Sequence, residues 1–255
     1  MKISSNRALK RFGIWTVIGL LLVQCATTKT QVQLSEYQLL PVNASYRQDS
    51  LAEATIQPFR QMLQDEMDIV IGHASKRLVE AEVESLLGNF VTDAILYQSA
   101  KYYPEKVHFS IITNGGLRAP IPEGPVSIGN IYELMPFENL IYILELDGAQ
   151  TRLLFDKLAR GKNVAVSNSV VLIDANRPVK IYIDGTPYAQ NKRYVLAVSD
   201  YLAQGGGGME FLKEAKVLAT IDVKIRDMII DYIKDLDAKG VAINAEIEGR
   251  VKLIP

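Results

Sequence analysis

The chain has 255 residues, of which 48% are hydrophobic and 22% are charged, and this composition excludes a globally disordered protein. A chain of this length buries one sizeable core or two small ones. The formal net charge is −1 at pH 7, and no stripe of Lys and Arg interleaved with aromatic residues is present in the sequence. Together these observations exclude nucleic acid as an expected partner.

The first 24 residues are predicted to be a signal peptide of the lipoprotein type. Basic residues precede an apolar stretch from Phe12 to Val23, which is shorter than the ~20 residues of a membrane-spanning helix. The stretch ends in LLVQC, where Cys25 is the only cysteine of the chain, so an intramolecular disulfide is excluded. The bacterial lipobox has this pattern, and its cysteine is lipidated and anchors the mature protein to the membrane.

Lipidation of Cys25 predicts a lipid-anchored protein of the cell envelope, on the periplasmic or outer-membrane side. The alternative is an incidental cysteine in a cleaved signal peptide. Gln24 favours this alternative, because a small residue usually precedes a lipidated cysteine, whereas Leu22 and Val23 favour lipidation. Residues 25–49 are interpreted as a tether and the segment that leads into a domain over residues 50–255.

Hydrophobic periodicity predicts the helices of this domain. Ser50 and Glu53 have capping-box spacing and predict a helix over 50–67, which Pro58 kinks or restarts. Apolar residues recur at helical spacing over 82–100, in nearly every turn, and predict a buried helix. Two further helices are predicted over GAQTRLLFDKLAR (148–160) and from a cap at Asp222 to about Gly240.

Alternating and continuous apolar runs predict the strands. They are IVIGHASKRL, VHFSIIT, LIYILELDG, VVLID, KIYIDG and RYVLAVSD. The sequence shows no internal repeat and no interior linker. It therefore predicts one α/β domain of the α+β type, with a mixed sheet and flanking helices.

A cluster of four glycines lies in AVSDYLAQGGGGMEF, at positions 197–211. A phosphate-binding loop would need Lys and then Ser or Thr after the last glycine, but Met209 and Glu210 follow. A flexible linker would have polar, low-complexity flanks, but both flanks here have the composition of core segments. The remaining interpretation is a loop inside the domain whose backbone allows a flat group to lie close to Tyr201.

Three blocks of the sequence resemble the C-terminal domain of the 5′-nucleotidase family, which includes ecto-5′-nucleotidase and the bacterial UDP-sugar hydrolases. The blocks are LLGNFVTDAIL (86–96), ITNGGLRAPIPEGPVSIGNIYELMPFENLIYILELDGAQ (112–150) and SDYLAQGGGGMEF (199–211). The resemblance spans about 50–253, with the blocks in the family's order. It implies the family's fold for this domain.

The resemblance also implies a binding site for the base of a nucleotide or nucleoside. In the family, two aromatic rings of the C-terminal domain sandwich the base, while an N-terminal metallophosphatase domain holds two metals and cleaves the phosphate. Phe137, in MPF, and Tyr201, before the glycines, stand at the places of these rings. Considered alone, Phe137 is also compatible with a core position and Tyr201 with an ordinary strand end.

The polar contacts implied by the resemblance fall in NGGLRAP and in the glycine loop. Arg118 matches an arginine that faces the ribose and phosphate region, Asn114 matches a ligand-binding asparagine displaced by one residue, and Lys101 is a weak match to a family arginine. A surface ion pair is the alternative for Arg118. The loop glycines that would bend beside the ligand are Gly205, Gly206 and Gly207.

One departure lies in the glycine loop. The family's loop usually carries an aspartate where this chain has Gly207, so a hydrogen-bond acceptor for the ligand is missing. The departure therefore implies weakened or altered recognition of the base or sugar, in a pocket that is either more permissive or no longer binds nucleosides.

Catalytic residues and metal ligands are not expected in this chain. Two-metal phosphatases carry Asp-x-His and Gly-Asn-His segments, and neither His73 nor His108 lies in such a context. No Gly-x-Ser-x-Gly nucleophile elbow is present either. We therefore expect no cofactor here, and expect the divalent metals in a partner phosphatase.

These observations lead to a hypothesis: the chain is the lipid-anchored, substrate-binding half of a split 5′-nucleotidase. A separately encoded metallophosphatase would complete the enzyme, so a hydrolase label would be inherited from the family rather than shown by these residues. The alternatives are a nucleoside-binding lipoprotein without catalysis and a structural envelope protein that has lost the ligand.

Overall fold

A computed structural model of the chain describes residues 49–254. The signal peptide, the lipidation site at Cys25 and nearly all of the tether lie outside the described residues and remain predictions. Within residues 49–254, no helix is both long enough and apolar enough to cross a membrane.

The helices and strands alternate irregularly along the chain. In chain order, the helices are α1 (Ser50–Met67), α2 (Leu86–Tyr102), α3 (Ile128–Leu134), α4 (Gly148–Gly161), α5 (Asp200–Ala203) and α6 (Ile225–Ala238). The strands are β1 (Val70–Ala74), β2 (Phe109–Thr113), β3 (Gly124–Ser127), β4 (Leu140–Leu146), β5 (Val164–Val166), β6 (Ser169–Asp174), β7 (Arg177–Ile183), β8 (Thr186–Pro187), β9 (Tyr194–Ser199), β10 (Lys216–Lys224) and β11 (Val251–Leu253).

Five strands form a central mixed sheet in the order β10-β4-β9-β2-β5, in which only the β2–β9 pair is parallel. Along β4, Ile141 and Ile143 face a core shared with α2 and α6, while Leu144 and Leu146 face a second core shared with α4. The sheet is therefore covered on both faces. This confirms the predicted mixed α/β fold.

Two smaller sheets accompany the central one, whereas the sequence predicted a single sheet. One pairs β1 with β3, and the other has the order β11-β6-β7-β8. Strands β6 and β7 are joined by Ala175 and Asn176, which both have positive φ. A two-residue turn of this kind closes a tight hairpin, so β6 and β7 pair with one another. Both strands belong to this smaller sheet and not to the central one.

The four predicted helices are all present, but two of them begin later than predicted, α2 at Leu86 rather than Glu82 and α6 at Ile225 rather than after Asp222. Helix α2 is buried as predicted, and the Ser85 side chain accepts a hydrogen bond from the Gly88 amide at 2.9 Å to cap it. The predicted cap at Asp222 is wrong. The ladder between β10 and β4 extends to the pair Lys224↔Leu140, so Asp222 belongs to a strand and α6 begins only at Ile225.

Helix α1 passes through Pro58 without interruption, so the predicted restart does not occur. Proline removes one backbone hydrogen bond, to the carbonyl four residues earlier. Pro58 and Ala54 are both exposed, so the freed carbonyl of Ala54 is accessible to water.

Candidate functional site

The candidate site lies at one edge of the central sheet, where three strands begin or end. Strands β2 and β9 are parallel, so their carboxyl ends meet at this edge. Strand β4 runs antiparallel to β9, with Ile141 opposite Ser199, so the loop that leads into β4 lies beside the residues that follow β9. This register brings together segments that are far apart in the sequence.

A cleft of about 650 Å³ opens at this edge, and we call it the aromatic cleft. This volume is within the ~300–1,000 Å³ typical of small-molecule sites. Its lining residues come from the ends of β2 and β9, the loop before β4, the turn between α4 and β5, the glycine loop and the start of α6. They are Ile112, Thr113, Gly115, Gly116, Met135, Phe137, Glu138, Asn139, Asn163, Ser199, Tyr201, Leu202, Gly207 and Ile225.

Phe137 and Tyr201 both line the aromatic cleft, although 63 positions separate them in the chain. Phe137 is 41% exposed and Tyr201 is 56% exposed, so neither ring is packed into the core. The core alternative for Phe137 is therefore wrong. Exposed aromatic rings in a concave, mostly apolar site are the groups on which a flat ligand stacks.

The glycine loop supports the ring of Tyr201. A Cβ atom added at Gly206 would lie 2.5–2.6 Å from Cε1, Cζ and Cε2 of Tyr201, and these nearly equal distances place it over the face of the ring. The amide of Gly207 also donates a hydrogen bond to the Tyr201 hydroxyl, at 3.1 Å. One face of the ring therefore lies on glycine backbone, while 56% of Tyr201 remains exposed.

The other loop glycines differ in their contact with the cleft. Gly207 lines it and has φ +64°, and a Cβ there would point toward Leu202 and Thr113, which also line it. Aspartate adopts this left-handed conformation more readily than most residues, so the backbone would accept the family's aspartate here. Gly205, with φ +87°, lies outside the lining and beside Lys213.

The remaining predicted contacts lie at or beyond the rim of the cleft. The Arg118 guanidinium donates to the carbonyl of Gly115, a lining residue, at 3.5 Å. Within residues 49–254 no carboxylate pairs with Arg118, so the surface ion pair that was the alternative for Arg118 does not form there. The Asn114 side chain donates to the Ala81 carbonyl at 3.2 Å, and Asn114 is not part of the lining.

Lys101, the weak match, is paired with Asp235 on the surface between α2 and α6. It is not part of the cleft lining. The structure thus groups Phe137, Tyr201 and Gly207 in the lining, and leaves Asn114 and Lys101 outside it.

Sequence analysis missed the polar residues that follow Phe137. The Asn139 side chain donates to Asp200 at 2.7 Å, and the same Asp200 oxygen accepts from the amide of Tyr201 at 2.7 Å. This bridge fixes the Phe137 loop to the Tyr201 segment. The only sequence signal was the pair of polar residues directly after Phe137.

Glu138 is the only ionisable side chain other than Tyr201 among the lining residues that the structure describes. Hydrogen bonds from Lys224 and then Arg226 hold the pKa of this carboxyl below its usual range. The Arg226 bond is 2.7 Å long. A lowered carboxyl pKa means that Glu138 is ionised at neutral pH.

The two histidines have no ligand arrangement around them. Nδ1 of His108 accepts a hydrogen bond from the Val195 amide at 2.9 Å, and burial lowers the pKa of this histidine. His73 lies in β1 and is exposed. No cluster of three or more His, Cys, Asp or Glu side chains that could hold a metal occurs within residues 49–254.

Comparison with known proteins decides the family. The family described as 5′-nucleotidase, C-terminal domain, matches residues 70–214, which is more than half of the chain. The chain belongs to this family. The aromatic cleft, with residues from β2, the loop before β4 and the glycine loop, thus lies almost entirely within the 5′-nucleotidase C-terminal domain.

Relatives of this 5′-nucleotidase C-terminal domain are found among both sequences and structures. The cell wall protein Lmo0130 of Listeria monocytogenes is 29% identical over 190 residues, covering 66% of this chain and 23% of that protein. The 5′-nucleotidase of Diplobatis ommata is 26% identical over 257 residues, covering 89% and 44%. The solved 5′-nucleotidase precursor from Thermus thermophilus has a TM-score of 0.69 and 26% identity, covering 80% and 43%. The chain spans less than half the length of each.

Proposed function

We propose that the chain binds nucleotides or nucleosides in the aromatic cleft, with the base between Phe137 and Tyr201. The observation that carries this proposal is that both rings line one cleft while staying 41% and 56% exposed. Stacking of a base on an aromatic ring contributes ~1–3 kcal/mol to the binding free energy, and every base can stack in this way. Membership in the 5′-nucleotidase C-terminal domain family supports a nucleotide as the ligand.

We further propose that a separately encoded metallophosphatase completes a split 5′-nucleotidase. Hydrolysis of a phosphate ester needs charge neutralisation and an activated water, which bound metal ions supply. The chain spans 44% of the Diplobatis ommata 5′-nucleotidase and 43% of the Thermus thermophilus one. The proposed division of labour assigns substrate binding to this chain and the divalent metals and the reaction to its partner.

The test is AMP hydrolysis by a candidate metallophosphatase in the presence and absence of the purified chain. We expect the chain to raise kcat/KM at least about tenfold, because it contributes base stacking that the phosphatase lacks. The control is the chain with Phe137→Ala, which should give little gain. Equal rates with and without the wild-type chain would contradict the split enzyme and leave nucleotide binding in place.

A nucleoside-binding protein without catalysis is the second candidate. It needs only the cleft that Phe137 and Tyr201 line, and no partner phosphatase. It predicts the same binding in the aromatic cleft but no gain in phosphatase rate. The hydrolysis experiment therefore separates the two candidates.

We also propose that the chain works outside the cytoplasm, anchored by a lipid on Cys25. The sequence of residues 1–25 and the similarity to a protein named for the cell wall support this location. We expect labelled palmitate to be incorporated into the wild-type chain in a bacterial host and not into Cys25→Ser. Equal labelling of both chains, or of neither, would contradict the lipid anchor.

A further inference from the structure

A fixed carboxylate stands in the wall of the aromatic cleft. Glu138 follows Phe137 directly, and both residues line the cleft. One oxygen of Glu138 accepts from Arg226 at 2.7 Å, and the other accepts from Lys224. Lys224 and Arg226, at the β10–α6 junction, thus hold the carboxylate in place.

The carboxylate keeps free capacity to accept hydrogen bonds. Each carboxylate oxygen has two lone pairs, and each oxygen of Glu138 has one partner among residues 49–254. The side chain is 64% exposed, so a ligand in the cleft can reach it. An ionised carboxylate only accepts hydrogen bonds, so it favours ligand edges that donate and repels edges that accept.

We propose that Glu138 determines base specificity and selects a base that presents two neighbouring N–H donors. This inference rests on the proposed nucleotide site. Among the common bases only guanine presents such a pair, N1–H beside the 2-amino group. Adenine and cytosine present one amino group beside a ring nitrogen that accepts, and uracil presents one N–H between two carbonyl oxygens. A guanine nucleotide is therefore the preferred ligand class.

A purely structural ion pair is the competing explanation for Glu138. Arg226 is 4% exposed and lies 4.0 Å from the centre of the Tyr132 ring, so it needs an anionic partner. Glu145 provides a comparison, because it also pairs with two cations, Arg193 at 2.9 Å and Lys216 at 3.7 Å, but lies outside the cleft lining. If Glu138 determines specificity, replacing it should change the preference for a base and replacing Glu145 should not. If both glutamates are purely structural, neither replacement should change that preference.

Isothermal titration calorimetry of the full chain with GMP and IMP tests the inference. IMP lacks only the 2-amino group, so the ratio of the two Kd values reports the second hydrogen bond. We expect wild-type chain to bind GMP about tenfold more tightly than IMP, as a charge-assisted hydrogen bond predicts. Glu138→Gln should reduce this ratio to about threefold or less. Glu145→Gln should keep the wild-type ratio.

The ratio in the wild-type chain can be measured even if Glu138→Gln fails to fold. Equal Kd values for GMP and IMP in the wild-type chain, or a GMP preference that survives in folded Glu138→Gln, would overturn the specificity role while leaving the proposed function intact. Binding of neither nucleotide, nor of AMP or UMP, would overturn the proposed function and this inference together.

Discussion

Replacing Phe137 with Ala is expected to weaken nucleotide binding by about 10- to 100-fold, and Tyr201→Ala is expected to weaken it to a similar extent. Each change removes one of the two rings on which we propose the base stacks. Both rings are exposed in the cleft, so truncation removes a ligand contact without opening a cavity in the core. Calorimetric titration with GMP measures the loss.

Two exposed aromatic residues outside the cleft provide matched controls. Phe59 on α1 is 64% exposed, and Tyr102 at the end of α2 is 47% exposed. Phe59→Ala and Tyr102→Ala should bind GMP as the wild type does. Wild-type affinity in both Phe137→Ala and Tyr201→Ala would show that these rings do not hold the ligand.

The glycine loop allows a check on how Tyr201 is held. Gly206→Ala should displace the Tyr201 ring, because the added Cβ would overlap the ring face. We therefore expect Gly206→Ala to lose about as much affinity as Tyr201→Ala does. In the Tyr201→Ala background the overlap is gone, so adding Gly206→Ala should cost little more. If the losses of affinity in the two single variants add up in the double variant, Gly206 does not support the Tyr201 ring.

The largest expected change in stability comes from Asp93→Ala. Arg250 is 8% exposed and donates to the two Asp93 oxygens at 2.8 and 2.7 Å. Burial alone lowers the pKa of this guanidinium, but the hydrogen bonds and charge of Asp93 raise it above its usual range. Removing Asp93 leaves Arg250 with Glu248 at 2.8 Å and the Val166 carbonyl at 3.3 Å.

We expect Asp93→Ala to lower the free energy of unfolding by about 2–3 kcal/mol. Breaking a fully buried pair costs about 3–5 kcal/mol, but Asp93 is 39% exposed and Glu248 still compensates part of the charge. Urea unfolding with an unchanged m-value measures the effect. The control Asp156→Ala breaks the pair that Arg152 and Asp156 form at i and i+4 on α4, in which Arg152 is 42% exposed, and should cost less than about 1 kcal/mol. Equal losses in both variants would show that Arg250 does not depend on Asp93.

The sequence predicted those elements that are determined by neighbouring residues, such as a helix with its own cap. The predicted helix over 148–160 corresponds to α4, which begins at a capping box formed by Asp147 and Gln150. Asp222 has the same type of side chain in a similar context, but pairing between β10 and β4 overrides it. Because that pairing joins segments about 80 residues apart, no local pattern reveals it.

The two aromatic residues were predicted through family resemblance, but the rest of the cleft depends on topology. Asn163 reaches the cleft because it lies between α4 and β5, and β5 pairs with β2. The only sequence signal for Glu138 was its place directly after Phe137, because its significance depends on Lys224 and Arg226, which follow it by more than 80 positions. The glycine cluster was predicted to bend beside a ligand, and only the structure shows that the Tyr201 ring lies on Gly206.

A crystal structure of the chain grown with GMP tests the central claim most directly. We expect density for the guanine base in the aromatic cleft, with its plane between the rings of Phe137 and Tyr201. A base bound elsewhere on the domain, or an aromatic cleft left empty at saturating GMP with the two rings turned away from each other, would contradict it.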